Sequence, residues 1–118
     1  ELGDQVAIVA KRHSGPCEVT VTEVSNAEPM PFDAHIAGLI TTSAKRHGLP
    51  VRDMISCAGH DARFMARLCP AAMIFIPCWQ GVSHHESESA EPEHVAAAAQ
   101  VVCDVLIEMA RVDRRQDA

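Results

Sequence analysis

The chain has 118 residues, 47% of them hydrophobic and 22% charged, which bounds it to one small soluble domain with at most a modest core. Its formal net charge is -6 and it carries no Lys/Arg cluster, so no nucleic-acid partner is expected: nothing is there to neutralise phosphates. The longest apolar stretch, PAAMIFIPC, is too short to span a bilayer, and no membrane partner is expected either.

The opening ELGDQVAIVAKRH reads as a helix already under way, with no signal-peptide pattern, as if the chain starts inside something larger. SGP at 14–16 breaks it, and CEVTVTEV then alternates apolar and polar residues as a half-buried strand does. The run NAEPMPFD holds two prolines and reads as a linker, which puts a domain boundary within residues 26–32. Asp33 is a good N-cap for a helix carrying Ile36, Leu39, Ile40 and Ala44, stopped by Gly48 and Pro50.

The next segment, VRDMISCAGHDARFMARLCP, starts extended and becomes helical, with Phe64, Met65 and Leu68 on one face and Pro70 as the end. AAMIFIP is a continuous apolar run between prolines, the pattern of a strand covered on both faces of a sheet. A polar, histidine-rich loop follows. Pro92 then opens a long final helix whose apolar stripe is Val95, Val102, Val105, Leu106 and Met109, and DRRQDA is a solvated tail. Residues 33–111 therefore predict α/β layering, and the first 25 residues the end of a smaller α+β unit. Five cysteines (17, 57, 69, 78 and 103) form no CxxC pair and sit beside or within apolar segments. An odd count points to a reducing cytoplasm and no structural disulfide.

Seven histidines are present. His13, His35, His47 and His94 fall on polar faces or near helix ends and read as solvated, with His47 in a last turn where a cationic ring suits the helix dipole. His60 sits in AGHDARF, where extended chain turns into helix. Two readings stand: an anion-welcoming helix start that Gly59 leaves open, or a first-turn acid, Asp61, with His60 as its hydrogen-bonded neighbour. In GVSHHESE, residues 81–88, the readings are a metal-binding loop at a strand end and a plain polar surface loop. Adjacent side chains of extended backbone point to opposite sides, so His84 and His85 are not both expected on one metal.

Taken together, SCAGHDARFMARLCPAAMIFIPCWQGVSHHESESAEPEHVAAAAQVVCDVLIEMA resembles the C-terminal part of the hydantoinase/carbamoylase-type amidohydrolases. That family includes N-carbamoyl-L-amino-acid hydrolase, β-alanine synthase and allantoate amidohydrolase. The resemblance runs over about residues 31–111, through AGHDA, a buried MIFIP run, SHxxxE and a PE-opened last helix. It implies a zinc-exopeptidase-like α/β catalytic domain for residues 31–118. Residues 1–30 would be the last helix and strand of an α+β lid/dimerisation domain, with its hinge.

The resemblance also implies hydrolysis of the C–N bond of N-carbamoyl or ureido compounds. The full enzyme would hold two divalent metals (Zn, Mn, Co or Ni), use a glutamate general base and dimerise. His84 takes the place of a metal ligand, Gly59 and His60 of the pair that contacts the small-molecule substrate, and Glu88 and Asp61 of supporting residues around them.

Three departures from the family pattern stand out: Cys57 replaces a usual glycine, CWQG replaces a more basic segment, and His85 replaces a frequent asparagine; of these, Trp79 and Gln80 are expected to alter the pocket. The family's other metal ligands, its paired glutamates and its lid arginine have no counterpart, so this segment alone is expected to be inactive. A non-catalytic self-association module and a peptidase or N-acyl aminoacylase relative are the alternatives.

Overall fold

The computed structural model describes the backbone of residues 2–116 and the side chains of residues 3–111. Among the described residues four α-helices follow in order: α1 (Leu2–Arg12), α2 (Ala34–Arg46), α3 (Ala62–Met65) and α4 (Pro92–Gln116), with a short 3-10 turn at Trp79–Gly81 before α4. The expected helical character of Glu1, and the solvation of the tail side chains at 113–118, lie outside the described residues.

Both ends of α2 form as local chemistry dictates. Asp33 holds an extended backbone, and its side chain accepts the Ile36 N–H at 2.9 Å, satisfying one donor that the first turn leaves unpaired. At the other end Gly48 takes a φ of +68°, the Gly48 N–H donates to Lys45 O at 3.0 Å, and the Leu49 N–H donates to Ala44 O at 2.9 Å. This paired closure needs a left-handed residue just past the helix, and glycine adopts that conformation without a Cβ penalty.

Helix α4 begins at Pro92, but the face it buries is offset from the expected one. Val101 (3% exposed) and Val105 (7%) pack with Ile36 (9%) and Ala44 (5%) of α2, and Met109 adds to them from the next turn. Val95, Val102 and Leu106 of the expected stripe stay open to solvent. The reason is that α4 meets one partner helix, which covers a narrow row at i, i+4 and i+8, whereas the wider stripe needs a second neighbour. A fully buried aliphatic side chain stabilises by about 1.5–3 kcal/mol, and none of the large described side chains reaches that state. The core is therefore thin.

A polar tie joins the same two helices. Asp104 Oδ2 accepts from Ser43 Oγ and Arg46 at 2.7 Å each and lies 2.7 Å from His47 Nε2, while Gln100 donates to Oδ1 at 3.0 Å. The Ser43 hydrogen bond first, then those of His47 and Arg46, hold the Asp104 carboxyl well below the usual carboxylate range; burial opposes them and Gln100 adds to them. His47 was expected to be a solvated end-of-helix residue. It caps α2 with its backbone and reaches across to α4 with its ring.

The expected strands at 17–24, at 51 onward and in AAMIFIP take no regular structure, and no β-ladder forms among the described residues. In place of the expected α/β layering, the described residues show helices joined by irregular chain without a hydrogen-bonded sheet. A strand is defined by its neighbour: backbone N–H and C=O groups need an adjacent strand at about 4.8 Å, and periodicity alone cannot supply one. Ala72 and Ile74 nonetheless pack against the α2–α4 core, while Phe75 is left half exposed.

Large apolar side chains elsewhere stay uncovered, among them Val24 (92% exposed), Ile55 (90%) and Leu68 (81%). Phe64, Met65 and Leu68, expected as the packed face of a longer helix, are exposed, and α3 spans only four residues. The radius of gyration is 20.4 Å, against roughly 13 Å for a compact domain of 100 residues.

Candidate functional site

The segment between α2 and α4 carries every candidate residue. Its first part is organised around His60. The His60 Nε2 lies 2.5 Å from Ser56 Oγ, which also accepts the Ala58 N–H at 3.3 Å. The ring meets Phe75 edge-on, with centroids 5.5 Å apart and planes at 62°. The partner of His60 is therefore Ser56, four residues upstream in the irregular chain before α3, and not Asp61.

Asp61 precedes α3 without a side-chain cap, and a four-residue helix has too few aligned peptides for the strong dipole that an anion site would use. A Cβ built on Gly59 would meet nothing within 4 Å, so its backbone faces open space.

The second part is the loop from Cys78 to Ser89, which is closed at its neck: the Trp79 N–H donates to Ser89 O at 2.7 Å. Inside it the chain turns sharply. Gln80 has φ +50°, Gly81 +70° and His84 +57°. Left-handed backbone at a residue with a side chain is unfavourable by about 1–2 kcal/mol and persists only where neighbours enforce it.

At His84 the enforcing group is Glu88. Its Oε2 accepts the His84 N–H at 2.9 Å, its Oε1 lies 3.9 Å from Cys78 Sγ, and its own N–H donates to His85 O at 2.9 Å. One carboxylate thus spans the loop and fixes the backbone of His84.

The adjacent histidines differ, though not for the reason the sequence suggested. His84 is not extended, so alternation along a strand does not separate the two rings. Instead the His85 ring is tied into a local turn, with Nδ1 2.8 Å from Ser87 Oγ and 3.1 Å from the Ser87 N–H. No hydrogen bond engages the exposed His84 ring among the described residues.

As a metal ligand, His84 fits by donor chemistry: an accessible imidazole on a braced backbone. A complete centre needs more. No group of three or more His, Cys, Asp or Glu converges among the described residues, and a catalytic zinc site takes at least three protein ligands. No hydrogen bond or ring contact joins the His60 cluster to the His84 loop among the described residues.

The sequence reading did not single out Ser56, Phe75 or Cys78 as partners. Ser56 lies four residues before His60, a spacing that could have flagged it. The Phe75 and Cys78 contacts depend on the fold. The five thiols are all free. His94, expected to be solvated, is half buried, and its Nδ1 is buried without a partner among the described residues. No helix among the described residues is long and apolar enough to cross a membrane.

Residues 2–108 match the family described as Peptidase family M20/M25/M40. The N-carbamoyl-L-amino-acid amidohydrolase of Rhizobium meliloti is 32% identical over 93 residues, covering 79% of this chain and 22% of that protein. Allantoate amidohydrolase of Bacillus subtilis (strain 168) is 30% identical over 112 residues, covering 91% and 26%. Ureidoglycolate hydrolase of Oryza sativa subsp. japonica is 36% identical over 98 residues, covering 83% and 20%.

Among solved structures, an amidase of the hydantoinase/carbamoylase family from Burkholderia vietnamiensis superposes with a TM-score of 0.74 at 32% identity. It covers 89% of this chain and 25% of its own. The chain spans between a fifth and about a quarter of the length of these relatives. The first two and the solved structure carry names to which AGHDA and SHxxxE pointed, ureidoglycolate hydrolase is an addition to them, and the structural likeness supports a zinc-exopeptidase-like domain.

Proposed function

The chain belongs to Peptidase family M20/M25/M40, and from that premise we propose that it forms part of a hydrolase acting on the C–N bond of N-carbamoyl amino acids or related ureido compounds. Allantoate and N-carbamoyl-β-alanine are substrates of this class. The observation that carries this reading is that relatives named for such substrates, or for ureidoglycolate, align over 79–91% of the chain.

A ureido carbonyl is unreactive because both nitrogens donate into it, so its hydrolysis needs the oxygen polarised and the leaving nitrogen protonated. A divalent metal, when bound, would polarise that oxygen and lower the pKa of water. His84 is the residue of this chain that would hold such a metal, through its unengaged ring, with Glu88 bracing its backbone. His60 would bind substrate: its Nε2 shares a hydrogen bond with Ser56 Oγ, which holds the ring and leaves Nδ1 as the nitrogen that would meet a substrate oxygen. Phe75 holds the ring from its edge, and Gly59 lets substrate approach the main chain. Asp61 has no partner on His60 and is assigned no part in the chemistry.

With a single candidate ligand in the chain, the 118-residue segment is inactive alone, and the active assembly is a dimer working in the cytoplasm. The test is to assay the purified chain on N-carbamoyl amino acids and allantoate with added Mn²⁺ or Zn²⁺, and the full-length protein in parallel. Inactive segment and active full-length protein are expected. Metal-dependent turnover by the segment would defeat the incomplete-site reading, and a full-length protein that cleaves only peptides or N-acyl amino acids would defeat the substrate assignment.

A further inference from the structure

We infer that Glu88 is a positioning residue that fixes His84 through its main chain rather than its ring, with Cys78 as the second anchor of the same carboxylate. The inference rests on the metal-ligand reading of His84 given above, which it deepens. Carboxylates near a metal-binding histidine ordinarily take the second ring N–H and so set its tautomer. Here both oxygens of Glu88 face other donors: Oε2 the His84 N–H at 2.9 Å, Oε1 the Cys78 thiol at 3.9 Å.

The backbone this carboxylate holds is the unfavourable one. His84 is left-handed at φ +57°, and the bond from the Glu88 N–H to His85 O at 2.9 Å closes a turn over residues 85–88 directly after it, which brings the Glu88 carboxylate back to the His84 N–H. Removing the carboxylate removes the acceptor that keeps His84 left-handed, and the backbone is then free to return to the right-handed or extended regions. The ring would swing with its Cα–Cβ bond. The device sets where the imidazole starts from and leaves both ring nitrogens open, one for a metal and one for a partner outside this segment.

The experiment uses the 118-residue chain without metal, then with Zn²⁺ alone as probe. Amide hydrogen exchange at His84 should be slow in the parent and faster by at least roughly tenfold in Glu88→Ala, about the worth of one hydrogen bond. Glu88→Gln keeps an acceptor oxygen and should lie between them. The nitrogen shifts of the His84 imidazole, read at one fixed pH, should stay unchanged in Glu88→Gln.

Zn²⁺ affinity, by competition with a chelator, should fall roughly 10–100-fold in Glu88→Ala and less in Glu88→Gln. Cys78→Ala removes only the outer anchor and should give a smaller effect of the same sign. Circular dichroism of the helices and the emission of Trp79, the one tryptophan, report whether a variant has lost its fold or only its loop.

Fast exchange at His84 in the parent, or imidazole shifts that move in Glu88→Gln while the amide does not, would overturn the inference. A slow amide in a chain that binds no Zn²⁺ would uphold the main-chain clamp, and His84→Ala in the full-length protein with unchanged Zn²⁺ affinity would count against the metal-ligand reading.

Discussion

Ser43 donates its hydroxyl to Asp104 Oδ2 at 2.7 Å, linking α2 to α4 across 61 residues of sequence. Arg46 and His47 converge on the same oxygen, so one carboxylate collects the polar contacts of the helix pair. With so few side chains buried between these helices, that tie is expected to matter more than a surface ion pair usually does. Asp104→Ala should lower the urea midpoint of the helix pair more than Ser43→Ala, because it strands Ser43, Arg46 and His47 together. Equilibrium unfolding followed by circular dichroism checks the order of the two effects.

Acid should weaken the same tie. The Asp104 carboxyl is held below its ordinary 3.8 when folded, so the unfolded chain takes up the proton first as pH falls. Its stabilising contribution is complete above about pH 5 and is lost progressively as pH drops through the ordinary value toward the lowered one. The melting temperature should be flat in this respect near neutrality and decline on the acid side. Asp104→Asn should flatten that acid limb, as measured by thermal melts at a series of pH values.

The ends of α2 give two local tests. Asp33→Ala leaves the Ile36 N–H without its acceptor and should destabilise by about 1 kcal/mol. Gly48→Ala forces a Cβ into left-handed backbone, at a cost of roughly 1–2 kcal/mol. Chemical denaturation of both variants should show lowered midpoints with unchanged slopes.

The two neighbouring histidines should separate cleanly. His84→Ala should reduce Zn²⁺ affinity by at least about tenfold, the loss of a direct ligand. His85→Ala removes a ring already tied to Ser87 and should change it by less than about threefold. Competition titration on both variants measures this, and equal losses would mean that both rings bind.

How much of this was legible in the sequence depends on how local the signal is. The Asp33 cap, the Gly48 stop and Pro92 at the head of α4 each act within a turn of their own position, and all three stand as read. The strands did not form as ladders, because pairing is a relation between segments, and AAMIFIP shows only that a segment wants cover. The burial of Val101 rather than Val102 was likewise out of reach: which row of an apolar helix is covered depends on where α2 lies. In the site, SHxxxE brought His84 and Glu88 into one motif. That the carboxylate holds the backbone follows from φ +57°, a property no residue pattern announces.

Helices α2 and α4 bracket every residue of the candidate site, from Gly59 to Glu88, and hold each other by side chains alone. The site is therefore a loop whose two ends are clasped, and its integrity does not rest on an unbroken chain. A protease nick between residues 50 and 57, where the chain has no regular structure and is mostly exposed, should leave two pieces that stay together through the helix pair. The His84 loop lies wholly within the downstream piece, so limited digestion there should separate cutting from collapse.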